Sequence, residues 1–202
     1  MHAYADRTLT TPRRTTSADG KLTSYNDVVI NPLILGWHNG NWHWNVAATV
    51  WLPVGDYDST RFVNTGRHTW AWSPQFAATY FDPRSGWEVS GALSYVFSFE
   101  NTATHYRSGD VLNLNLTVGR RIASGVTLGL TGYIVEQTTD DGGSGDTIGS
   151  RRAQVFGLGP AIRFRMKSGE TPVAIVAKYY REFSARNTTE GDAASLLVRV
   201  KF

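Results

Sequence analysis

The sequence predicts an all-β fold, a transmembrane antiparallel β-barrel of the outer-membrane type. Three observations carry that expectation. Apolar and polar residues alternate strictly, the alternating runs are long, and the connections between them alternate short with long. Composition agrees: of 202 residues, 41% are hydrophobic and 18% charged, which is too apolar for a disordered chain. No apolar run approaches the ~20 residues that a membrane-spanning helix needs. The net charge of +3 is small and the basic residues are scattered, so no nucleic-acid footprint is expected. There is no cysteine, hence no disulfide frame, no thiolate metal site and no cysteine nucleophile.

The elements follow in order. A segment around Val28 to Trp37 reads as a first strand, with poorer alternation than the rest. In Trp42 to Leu52 the even-numbered residues Trp42, Trp44, Val46, Ala48, Val50 and Leu52 share one face. Thr69 to Tyr80 sets Trp70, Trp72, Phe76, Ala78 and Tyr80 together, and Trp87 to Phe99 does the same with Val89, Leu93, Tyr95 and Phe97. The cleanest case is Val111 to Val118, where Leu112, Leu114, Leu116 and Val118 oppose Asn113, Asn115 and Thr117. Val126 to Gln137, Phe156 to Met166, Val173 to Phe183 and Ser195 to Phe202 complete nine candidate strands. They run to roughly 10–13 residues, against ~5–6 in soluble sheets and ~9–11 for a tilted strand crossing a bilayer.

The connections sort into two kinds. Asn39-Gly40 is a two-residue hairpin signal, and Pro83 to Gly86, Ala123 to Gly125 and Lys167 to Glu170 are also short. Val54 to Arg67, Asn101 to Gly109, Thr138 to Ser150 and Ser184 to Ala193 are longer and polar. Short turns on one side and long loops on the other are the outer-membrane pattern. With the short turns periplasmic, Trp37, Trp42, Trp44, Tyr80, Trp87, Phe164 and Phe202 fall near that interface. Trp51, Trp70, Trp72, Phe97, Phe99, Phe156, Tyr179 and Phe183 fall near the outer one, giving two aromatic girdles around an aliphatic band. Rings packed in a soluble core would not gather at strand ends. The chain closes on an alternating strand ending in Phe202, which resembles the signal read by the barrel-assembly machinery.

The opposite face is polar: Asn45, Thr49, Ser73, Gln75, Glu88, Ser90, Asn113, Asn115, Arg163 and Arg199 all fall there. Charges on such a face line a conduit or pair within a filled lumen. The residues expected to line an entrance or lumen are Arg107, Asp110, Arg121, Gln137, Lys178, Arg181 and Glu182. Asp140, Asp141 and Asp146 among glycines suggest a calcium loop but lack its closing bidentate Glu, so a solvated turn is the better reading. The five histidines show no metal-ligand spacing, although His38 and His43 face each other across the Asn39-Gly40 hairpin. No phosphate loop, dinucleotide fingerprint or nucleophile elbow is present. No catalytic residue, metal or cofactor is expected.

Several stretches together resemble the MetA-pathway family of phenol degradation. They are Leu35-Gly36-Trp37-His38, Pro53-Val54-Gly55-Asp56-Tyr57-Asp58, Thr79-Tyr80 before Gly86-Trp87-Glu88, and Tyr106-Arg107-Ser108-Gly109-Asp110. Gly129 to Tyr133, Asp140 to Gly145, Gly157-Leu158-Gly159-Pro160, Arg181-Glu182-Phe183 and Glu190-Gly191-Asp192 continue the series in order. The chain departs from the family pattern at Arg67-His68-Thr69-Trp70 and at Arg186-Asn187-Thr188-Thr189. The resemblance implies an outer-membrane channel or transporter for small hydrophobic, aromatic solutes feeding a catabolic pathway. Outer-membrane lipid and the solute would be its partners. A soluble ligand-binding β-barrel and an outer-membrane lipid hydrolase are the alternatives, the latter needing an outward Ser–His pair near the outer rim.

Residues 1–26 are polar, carry Arg7, Arg13, Arg14 and Lys21, and read as an extracellular loop, with the barrel strands in 27–202. Nine is odd where single-chain bacterial barrels use an even number. The expectation is therefore an N-terminally truncated barrel of about nine strands, with a signal peptide and further strands upstream.

Overall fold

The computed structural model describes residues 2–11, 14–61, 63–147, 149 and 151–200. Two strands, β1 (His2–Thr11) and β2 (Arg14–Thr23), form an antiparallel hairpin of their own. The other nine are β3 (Val28–Asn39), β4 (Trp42–Leu52), β5 (Ala71–Phe81), β6 (Trp87–Ser98), β7 (Val111–Ala123), β8 (Val126–Gln137), β9 (Gln154–Ser168), β10 (Thr171–Arg186) and β11 (Asp192–Val200). Each pairs with its sequence neighbour to give one curled, open antiparallel sheet with β3 and β11 at its edges. The nine strands expected from alternation are all present. The hairpin in residues 2–23 is additional. Its sequence has no run of apolar residues at period two, so pattern alone passes over it. Phe202 lies outside the described residues.

The short turns explain the close neighbour pairing. Between β3 and β4 the last ladder pair is Asn39 with Trp42, so the two-residue loop is Gly40-Asn41, one position later than the Asn39-Gly40 signal suggests. Only Gly40 takes a positive φ, 57°, as the first central residue of a type II′ hairpin does. His38 and His43 stand opposite each other there, Nδ1 to Nδ1 at 2.7 Å. Two ladder gaps have a plain cause. Proline has no N–H to donate, and β5 pairs with β6 on both sides of Pro74 but not at it. Pairing of β9 with β10 likewise skips Pro160.

Register divides the side chains into two faces, because partners in an antiparallel ladder point the same way. Asn115 pairs with Tyr133, and Tyr133 with Gly157, on one face; Leu116 pairs with Gly132, and Gly132 with Leu158, on the other. Every residue expected on the polar face of the strands is there, with one exception among the candidate site residues, described below. Burial is inverted relative to a soluble protein. The buried strand residues are chiefly polar, Thr49, Ser73, Thr131 and Gln137, and the only buried large apolar side chains among the described residues are Val155 and Tyr180. Leu116, Leu130, Leu158, Phe76 and Leu196 are half exposed or more.

The polar face is the concave one. Glu88 on β6 takes a two-pronged bond from Arg163 on β9, both contacts at 2.7 Å, over the two strands between them. Three strand spacings of ~4.8 Å would be a long reach on a flat sheet. Curling toward this face shortens it. Tyr133 on β8 likewise donates to Glu182 on β10, and Thr131 meets the Tyr180 hydroxyl at 3.2 Å. These bonds hold the curl.

Arg163 and Glu88 are each less than one-fifth exposed. Replacing Glu88 by Leu leaves the guanidinium half-buried and unpaired, and should lower stability by about 2–3 kcal/mol. Adding Arg163→Met to that variant should recover part of the loss. Equilibrium urea unfolding of the three variants measures this, and equal losses in the single and double variants would refute it.

Candidate functional site

The long loops do not hang free; backbone groups knit them into a mouth at one end of the sheet. Asp27 starts the assembly. Its two carboxylate oxygens accept the backbone N–H groups of Gly55 (2.9 Å) and Arg67 (2.7 Å), pinning both ends of the β4–β5 loop. Gly55 and Gly66 cross so closely that a Cβ on either would meet the other's backbone within 2.7 Å. A side chain at either would force the strands of the loop apart. Inside the loop, Arg61 grips Asp56 through two nitrogens, and Tyr57 stacks on His68 with ring centroids 5.1 Å apart. The Arg61 guanidinium holds the Asp56 carboxyl below the ordinary aspartate value of 3.8, with the Ser24 hydroxyl adding to it.

The second loop, between β6 and β7, is tied to the first and the third. Buried Asn101 donates from Nδ2 to the Arg67 carbonyl at 3.1 Å. Arg107 exchanges backbone bonds with Gly142 of the β8–β9 loop, and its side chain donates to the Ser98 carbonyl. Asp110, buried, accepts from the Ser98 N–H at 3.0 Å and lies 3.5 Å from the Arg107 guanidinium. Asp141 accepts from the Gly109 N–H and from the Gln137 amide. A Cβ at Gly109 would sit 2.0 Å from the Thr139 carbonyl, so only glycine fits. Burial, with Asp141 alongside, pushes the Tyr106 hydroxyl up to about 12, so Tyr106 stays a neutral donor at any physiological pH.

Two adjoining cavities open inside this mouth. One, of about 330 Å³, is lined by Asp27, Trp51, Arg67, Val96, Asn113 and Gln137 among others. The other, of about 420 Å³, is lined by Tyr57, Arg67, Thr69, Asn101, Tyr106 and Ser108 among others. Arg67, Thr69 and Ser108 belong to both. The surroundings offer one guanidinium, several hydroxyls and flat rings. That set can select a solute by shape, by stacking and by one polar contact.

Of the residues singled out from sequence, Arg107, Asp110 and Gln137 come together here. Lys178 and Glu182 lie on the concave face of β10, where Glu182 is occupied by the Tyr133 hydroxyl and the Gly191 N–H. Arg121 is at the opposite, short-turn end, donating to the Pro83 carbonyl at 2.6 Å and lying over the Phe81 ring. Arg181 is the exception. It pairs with Leu158 on the apolar face and lies 3.3 Å from Asp192, away from the lumen. The acidic turn does not converge: Asp140 pairs with Arg152, Asp141 faces Gly109 and Gln137, and Asp146 accepts from Gly149. Among the described residues no three His, Cys, Asp or Glu gather as metal ligands would.

Asp27, Trp51 and Arg67 were not singled out. Trp51 was legible in part, since its odd number puts it with Asn45 and Thr49 on the polar face, although its height suggests the outer girdle. Arg67 and Asp27 sit in loops, where no period marks a facing direction.

A family model described as "Putative MetA-pathway of phenol degradation" matches residues 2–198, which associates the chain with that pathway. No curated protein and no solved structure matches it.

Two outcomes follow from the loop chemistry. Asp27→Ala removes the acceptor of two backbone N–H groups and should make the 53–67 loop the first site of limited proteolysis, while Asp27→Asn, keeping one oxygen, should be intermediate. Because the Asp56 value is depressed, its contribution is present above 3.8, the unfolded value, and is lost as pH falls through the lower folded value. Cleavage of this loop should therefore be flat from about pH 8 to 5 and rise only in stronger acid; a rise near neutrality would count against the Arg61–Asp56 clasp.

Proposed function

The chain belongs to the MetA-pathway family of phenol degradation, and from that premise we propose that it forms the wall of an outer-membrane β-barrel that passes small hydrophobic, aromatic solutes. It is a conduit and performs no catalysis in this reading. The observation that carries the proposal is the inverted burial. A curled sheet keeps Thr49, Ser73 and Thr131 covered on its concave side and leaves Leu116, Leu130, Leu158 and Phe76 uncovered on its convex side. Soluble monomers rarely expose contiguous apolar patches beyond a few hundred Å². Hydrocarbon is the solvent that suits such a surface, and a sheet closed into a barrel satisfies its own backbone there.

Aromatic pairs at both strand ends support the same orientation. Trp42 packs on Tyr80 at the short-turn end, and Trp72 on Phe97 and Phe156 on Phe183 at the long-loop end. Amphipathic rings at those two heights suit the two interfaces of a bilayer. The mouth then faces outward, with Arg67, Tyr57 and Tyr106 at the point of entrance. A solute of one or two rings fits cavities of about 330 and 420 Å³.

Two measurements test the proposal. Leu116→Arg and Leu130→Arg should each cost about 2–4 kcal/mol near the bilayer midplane, while Asn115→Arg, on the concave face, should be milder. Equal damage from all three, read as loss of folded protein in outer-membrane fractions, would exclude a lipid-facing convex side. Cells lacking the protein should grow poorly on a hydrophobic aromatic carbon source at limiting concentration and normally on sugars. A matching defect on sugars would point to a general pore.

A further inference from the structure

The concave face carries another cavity, away from the two in the mouth. Four positions that stand side by side across four strands read glycine, glycine, alanine and lysine: Gly119 pairs with Gly129, Gly129 with Ala161, and Ala161 with Lys178. Where a small barrel normally fills its interior with side chains, Gly119 and Gly129 leave bare backbone and Ala161 adds only a methyl. The bareness is built in at Gly129, where a Cβ would come within 2.3 Å of the Val118 carbonyl. The result is a cavity of about 180 Å³ with a floor free of long side chains, walled by Ser90, Thr117 and Thr127 and closed toward the short turns by Glu88 and Arg163. An apolar cavity of ~150 Å³ holds one benzene ring.

Charge is unequal around it. Glu88 is the single carboxylate on the wall, and both its oxygens are taken by Arg163. Lys178, half-buried, has no hydrogen bond or ion pair among the described residues. Just beyond, Arg165 and Arg199 line an adjoining cavity that shares Arg163, and neither has an ion pair among the described residues. Arg165 feels the like charges of Arg163, Arg121 and Arg199 and the opposite charge of Glu88. Nearby Glu182 is already engaged by Tyr133 and Gly191. The wall therefore carries more cations, Arg163, Arg165, Lys178 and Arg199, than carboxylates, and both carboxylates, Glu88 and Glu182, already have partners.

We propose that this cavity is a binding station for an aromatic carboxylate, its ring lying on the Gly119–Gly129–Ala161 floor and its carboxylate taken by the Lys178 ammonium. The inference rests on the conduit reading and narrows its solute to flat rings that carry one negative charge. A neutral hydrocarbon would leave Lys178 as unsatisfied as before. An aliphatic acid would lay no ring on that floor.

Ligand-observed NMR titration of the detergent-solubilised protein tests it with three probes: benzoate, benzyl alcohol of similar shape without the charge, and hexanoate with the charge but no ring. Benzoate should bind saturably; benzyl alcohol should bind about tenfold more weakly, the order that one charge-assisted bond carries, and hexanoate should also bind more weakly, for want of the ring. Lys178→Met should weaken benzoate by a similar factor and leave benzyl alcohol unchanged, with Lys178→Arg restoring most of the binding. Ala161→Leu, which fills the floor, should weaken both. Equal affinity for benzoate and benzyl alcohol, equal affinity for benzoate and hexanoate, or no saturable benzoate binding by the unmodified protein would each overturn the proposal, and none needs a variant to fold. Binding is read without transport, so it distinguishes the two ideas. Station-like binding without solute-dependent growth would sink the conduit alone, and normal uptake without benzoate binding would sink the station alone.

Discussion

Backbone hydrogen bonds run from β3 to β11 through eight successive antiparallel pairings, and the register of that one ladder sets what every strand residue can do. Side chains alternate with period two, so a slip of one residue in any pairing would carry lysine and glutamate to the convex side and leucine to the concave. Such an exchange would also break the side-chain ties across the concave face, Arg163–Glu88 and Tyr133–Glu182, which depend on the same register. This makes the turns important beyond their length: the two-residue Gly40-Asn41 loop and the short connections at Gly86, Gly125 and Gly169 leave little room for an alternative alignment.

Curvature follows from what the ladder puts on the concave side. Glycines at 119, 129, 157 and 159 let that face close up, the Tyr133 ring lying against Gly157, and long polar side chains reach over the gap. The Arg163–Glu88 and Tyr133–Glu182 contacts both skip over intervening strands, so they act as ties on the curl and not as ladder neighbours. The glycines thus serve two ends at once. They permit the bend, and they leave the space beside Lys178 free of long side chains.

The mouth works by a different principle. In its loops the order comes from carboxylates that accept backbone N–H groups: Asp27 for Gly55 and Arg67, Asp110 for Ser98, Asp141 for Gly109. Asp27 and Asp141 reach residues far off in sequence, Asp110 closes its own loop, and the Asn101 amide on the Arg67 carbonyl joins the first loop to the second, which turns three separate segments into one frame. Arg67, the first residue of the stretch where the chain departs from the family pattern, is also the guanidinium shared by both mouth cavities.

The sequence by itself determined the nine strands of the large sheet, their order, their two faces and the asymmetry of their connections, but not the β1–β2 hairpin. It could do so because a period of two and a turn glycine are local signals. Leu112 to Val118 need no partner to reveal which way they point, and the antiparallel neighbour order follows from short turns. The site was legible only in fragments. Arg107, Asp110 and Gln137 were found because they sit beside strand ends, whereas Asp27 and Arg67 were not, since a loop has no period and their meeting spans 40 residues of chain. Arg181 was assigned with its neighbour Glu182 although alternation sends adjacent residues to opposite faces. Lys178 was visible as a lone charge, but not as the rim of a cavity. That required Gly119, Gly129 and Ala161 to arrive beside it from three other strands, and only the register of the tertiary ladder decides which residues stand side by side.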